Sequence, residues 1–85
     1  MKYLMITTRE LPDLRQISCT ALLLEVDEDG NVTREVGVQS SGEIVHCAPV
    51  GSSFFFASTR KRVAQFSRYA MEPAHFSAAW EAAGN

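Results

Sequence analysis

The sequence is poor in the residues and runs that announce a chemistry on their own. Only two cysteines occur in 85 residues, enough for one disulfide, and a lone pair without a secretory leader reads as two reduced, half-buried thiols. No apolar run is long enough for a membrane: the start, MKYLMITTRE, offers Tyr3 to Ile6 and nothing more, short of a signal-peptide core and far short of a span. A cytoplasmic location is expected. Positive charge is not in excess either, with eight Lys and Arg against ten Asp and Glu and a net charge of -2, so composition points to no polyanion and leaves open a local patch only. Nowhere is there a Gly-Lys pair, nor a nucleophile elbow around Ser52 and Ser53, which removes phosphate-loop and hydrolase readings of that stretch.

What is present suits one small α+β domain spanning residues 1–85, large enough to bury roughly 60 to 65% of its unfolded surface. Tyr3 to Thr8 reads as a strand, and Pro12 and Asp13 mark the polar loop after it. In TALLLEV, alternation puts Leu22, Leu24 and Val26 on one face and Ala21, Leu23 and Glu25 on the other. Its partner, NVTREVGVQ, sets Val32, Val36 and Val38 on a common face with Arg34, across a DEDGN turn in which Gly30 supplies the positive φ. A turn at Gly42 leads to EIVHCA, which Pro49 ends, and SSFFFA is expected as a fifth strand. Ser58 or Thr59 would cap a helix from Arg60 to Tyr69, and Pro73 opens a last helix with Phe76 and Trp80 four apart. The order predicts an antiparallel sheet of four to five strands with one or two C-terminal helices packed on one face.

Three phenylalanines before a basic cluster invite a nucleic-acid reading, which the strand period weakens. Phe54 and Phe56 would face one way and Phe55 the other, so the rings form no single stacking platform. The basic run Arg60, Lys61, Arg62 and Arg68 is then a solvated helix face, with an apolar stripe too thin for a membrane surface. Charge is nevertheless unevenly spread, since Glu25, Asp27, Glu28 and Asp29 crowd one hairpin end. Such a dipolar surface complements another copy of the chain or a charged protein. Apolar residues at Leu4 to Ile6, Leu22 to Leu24 and Phe54 to Phe56 load both sides of the sheet, while two short helices cover one. A second chain on the uncovered side is therefore expected, giving a homodimer.

DEDGN resembles the start of a calcium loop, but Gly30 stands fourth from Asp27 rather than sixth, and the twelfth position is Val38. His46 and Cys47, adjacent in a strand, point to opposite faces and are ill placed to share an ion. Cys47 has no sequence signature that brings His46 or His75 to it as a base. No catalytic residue, metal ligand or cofactor site is assigned, and no enzyme activity is expected. The residues offered for contact are Arg60, Lys61, Arg62 and Arg68, the acids Asp27, Glu28 and Asp29, and Phe55.

The opening MKYL, the hairpin LEVDEDGNVTREV and the ending PAHFSAAWEAA together resemble a family of small uncharacterised bacterial domains. These have a Lys-Tyr start, an acidic strand-turn-strand with an Arg-x-Val return, and a terminal Phe-x-x-x-Trp helix. The likeness covers about two thirds of the chain and departs from the pattern between Gln39 and Arg68. It implies an α+β domain without assigned activity, with some relatives suspected of neutralising toxins by protein binding. The functional expectation is thus a non-enzymatic protein-interaction module, self-associating and regulating or neutralising a partner. The runner-up is a small nucleic-acid-binding regulator that uses the cluster at 60–68.

Overall fold

Strand-forming runs and turn residues alternate from the N-terminus, and the chain follows them. The computed structural model describes all 85 residues. It holds β1 (Lys2–Thr7), β2 (Ala21–Val26), β3 (Val32–Val38) and β4 (Ile44–Ala48) in one antiparallel sheet, in the spatial order of the sequence. Three 3-10 segments, Pro12–Ile17, Phe56–Thr59 and Val63–Tyr69, and one α-helix, α1 (Pro73–Ala82), complete an α+β fold. The β2–β3 turn closes on Asp27, whose Oδ1 accepts the amides of Asp29 and Asn31, each at 2.9 Å, while Gly30 takes φ +84°.

Alternation along β2 sorts the core as the period of two requires. Leu22, Leu24 and Val26 join Leu4 and Ile6 under the 3-10 segments, which contribute Leu14, Phe56 and Phe66. Leu23 faces the other way and packs with Val36 and with Phe76 of α1. One expectation fails at Val32. A bulge between Glu25 and Val26 sets Glu25 opposite Arg34 but Val26 opposite Val32, so Val32 packs in the first core while Arg34, Val36 and Val38 stay on the α1 side. The extra residue in β3 shifts its alternation by one.

The SSFFFA run forms no fifth strand. Gly51 turns the chain at φ +88°, and Ser52 folds back to β4, its amide donating to the Cys47 carbonyl at 3.0 Å. The amides of Phe55 and Phe56 then donate to the two carboxylate oxygens of Glu35 at 2.7 and 2.8 Å, and a sheet partner has no claim on them. Phe55 and Phe56 consequently lie in one core cluster instead of on opposite faces, and Phe54 is left 37% exposed.

The stretch expected as a helix from Arg60 is also different. Ser58 and Thr59 spend their hydroxyls backward, donating to the Phe55 and Phe56 carbonyls, and Arg60 takes φ +60°. Helical turns resume as 3-10 at Val63, where the Gln65 side chain accepts the Arg62 amide at 2.8 Å. This segment packs on the face opposite α1, so both sides of the sheet have cover from within the chain. The inference of a second chain from an uncovered face therefore loses its ground: the 3-10 segments, rising about 2.0 Å per residue against 1.5 for an α-helix, span more sheet than the same residues in α form.

Both edges of the sheet are partly engaged as well. On β1, the Met71 amide donates to the Tyr3 carbonyl at 2.8 Å, and Glu10 accepts the Thr7 amide at 3.0 Å. On β4, Ser52 satisfies both the amide and the carbonyl of Cys47, and the pairing with β3 is interrupted by a bulge between Gly37 and Val38. Such devices blunt an edge against strand addition.

Candidate functional site

A cleft of about 790 Å³ opens over the first core, between the β2–β3 turn and the chain from Phe54 to Ser67. Its floor is apolar, made by Leu4, Val26, Val32, Phe56 and Val63. One wall carries Asp27 and Glu28 from the hairpin end; the facing chain supplies Lys61 and Arg62, with Phe54 at the lip and Lys2 beside Val26. Residues some thirty positions apart, expected as two separate poles of the surface, thus meet around a single depression. They do not neutralise one another. The two ion pairs of the chain lie elsewhere, at Glu25–Arg34 and Glu35–His46.

The other contact candidates lie off this cleft. Asp29 sits on the turn outside the lining, and Arg60 is exposed at its left-handed bend. The Arg68 guanidinium lies over the Tyr69 ring, 5.3 Å from its centroid. Phe55 is buried, edge-on to His46 with ring centroids 6.5 Å apart, which withdraws it as a surface contact.

Glu35, which the sequence reading passed over, fixes the floor and the lip. Its carboxylate is 0% exposed and is satisfied by the Phe55 and Phe56 amides and by His46 Nε2 at 2.7 Å. A buried charge is tolerated only when its lone pairs are met, and here they are met by the loop that carries Phe54. The one available signal was an acid among β3's alternating residues on the Leu24 side, next to Gly37.

A different arrangement serves the α1 face. Glu25 accepts from Tyr3 Oη at 2.9 Å, Thr33 Oγ1 at 2.7 Å and Arg34 Nε at 2.8 Å, with a second bond from Arg34 Nη2. The Arg34 guanidinium lies 5.0 Å from the Phe76 ring centroid and 4.7 Å from that of Trp80. Through Arg34, then, β2 and β3 clamp the aromatic face of α1. The same contact holds the Glu25 carboxyl down at about 2. Tyr3, donating to that carboxylate, has its hydroxyl pushed up from the usual value.

The two cysteines are not joined in a disulfide. Burial pushes Cys19 up to about 11, the nearby Glu35 charge adding to it. Cys47 sits opposite Val36 on the α1 side, where Asn85 Nδ2 lies 3.0 Å from its sulfur, and His46 points to the other face as strand geometry requires. Every buried side-chain nitrogen and oxygen has a partner. No helix is long and apolar enough to cross a membrane. No family model, curated protein or solved structure matches the chain.

Proposed function

We propose that the chain is a non-enzymatic protein-interaction module of the cytoplasm, self-associating, of the kind that regulates or neutralises a partner protein. One observation carries the reading: an apolar floor between an acidic and a basic wall that do not pair with each other. Solvated charges around a desolvatable centre are the anatomy of a protein contact, where the apolar middle supplies affinity and the rim supplies register and partner choice. The buried ionisable groups support the absence of catalysis, because Glu25, Glu35 and Cys19 are each committed to packing or structural hydrogen bonds.

The acidic wall also favours a protein over a nucleic acid. Phosphates drawn to Lys61 and Arg62 would meet Asp27 and Glu28 across the cleft, and binding that depends on releasing counterions gains little from such a surface. Sedimentation velocity of the pure chain over a wide concentration range tests the proposal. The expected result is a shift from one to two chains as concentration rises; a single-chain mass throughout ends the self-association.

A further inference from the structure

Resting on the self-association just proposed, we infer that the occupant of the cleft is a second copy of this chain, set about a twofold axis. The basic wall of each copy, Lys61 and Arg62, faces the acidic wall of the other, Asp27 and Glu28. A twofold contact is self-complementary when the groups at two places on one surface suit each other, since each then meets the other twice. The two walls satisfy that condition, because the hairpin side, with Asp27 and Glu28 against the single cation Lys2, is net acidic, the other side is basic, both line one depression and none of these charges is paired within the chain.

Packing adds a second reason. Small sheet proteins often dimerise by joining edges, but here Met71 and Glu10 occupy β1, while Ser52 and the bulge blunt β4. Both sheet faces are packed against other parts of the chain as well, with Met5 on the α1 side left 45% exposed. The cleft is the depression in which apolar floor and unpaired charge coincide. Phe54, 37% exposed at its lip, is the ring placed to enter the opposing cleft and to cover Val32 and Val63. Its position is fixed from below, because Glu35 grips the next two amides.

Charge reversal gives a test that a merely structural role would not pass. Lys61→Glu/Arg62→Glu makes both walls acidic, and Glu28→Lys/Asp29→Lys turns the hairpin end as a whole, Asp27 to Asp29, from net negative to net positive while sparing Asp27, which the turn needs. Each variant alone should weaken the dimer at least tenfold, because like charges then meet twice. Mixed in equal amounts, the two should form a heterodimer, since every acidic wall finds a basic one. The wild-type dimer should also weaken as salt rises from low to physiological strength, where screening sets in at about 8 Å. If the wild type dimerises and the variants do too, with no dependence on salt, the interface lies elsewhere and the inference falls while self-association stands. If the wild type never dimerises, the underlying proposal falls with it. Circular dichroism of each variant reports whether its fold is intact, and a salt-indifferent wild-type dimer overturns the inference without any variant.

Discussion

One β-hairpin carries two buried carboxylates, and they are held by opposite means. Glu25 on β2 faces α1 and is met by side chains: Arg34, Thr33 and Tyr3, each a cross-strand neighbour or close to one. Glu35 on β3 faces the other way and is met mainly by backbone, the amides of Phe55 and Phe56, with His46 as its one side-chain partner. The first pair lets water in, since the Arg34 side chain is 29% exposed. The second is more closed, His46 being 6% and Glu35 0% exposed. A carboxylate bonded by side chains pins a regular helix whose aromatic stripe the guanidinium covers. Bonded by amides, a carboxylate can instead hold an irregular loop that has no sheet or helix partners of its own, and the cleft depends on that loop.

The largest expected effect therefore lies at Glu35. Removing the carboxylate by Glu35→Ala strands two buried amides and the His46 ring, at a cost of about 3–5 kcal/mol. Glu35→Gln keeps one acceptor oxygen and should cost less, on the order of 2 kcal/mol. Urea unfolding measures both. A loss below that of a surface substitution would mean that the loop over the first core is held by its phenylalanines alone.

Next in size is Gly37, which lies on the same face and shows how closely that face is packed. A Cβ placed there would collide with the Cys19 sulfur and come within 2.8 Å of the His46 Cβ. Gly37→Ala should thus destabilise by about 1–3 kcal/mol, the usual cost of overpacking. Combining it with Cys19→Ala should recover part of the loss, because the two positions share one space. Strict additivity in the double variant would show that strain at His46 alone is responsible.

The same contrast explains which parts of the molecule could be read from sequence. Alternation in β2, the Asp27–Gly30 turn and the Phe76–Trp80 helix were legible because each rests on neighbours within a few residues. Val32 was misplaced because a bulge carries no residue-type signal in NVTREV, where any residue can be the extra one. The fate of Phe54 to Phe56 was illegible for a firmer reason: its determinant is a carboxylate 20 and 21 residues earlier, bonding to amides that every non-proline residue possesses. Of the contact candidates, Asp27, Glu28, Lys61 and Arg62 were named from charge alone. That they share one cleft follows from where the 54–67 chain lies, which charge does not encode.

The smallest effect, and the one that separates the two carboxylates by chemistry, concerns acid. Glu25 has its pKa lowered from 4.5 to about 2, first by the Arg34 hydrogen bonds and then by those from Thr33 and Tyr3. In the unfolded chain it takes up a proton at higher pH than in the fold, so its contribution to stability is complete above about 4.5 and is lost as pH falls toward 2. With Arg34 partly in water the contribution is about 1 kcal/mol, near the upper end for exposed pairs. Glu25→Gln should therefore unfold more easily than wild type at neutral pH, by about that amount, and the two should converge between pH 4.5 and 2. Glu10, lowered by its Thr7 hydrogen bonds, is common to both proteins and cancels in the difference. If the difference stayed constant through that window, the clamp on α1 would owe its strength to the stacking of Arg34 on Phe76 and Trp80, and the charge of Glu25 would be incidental to it.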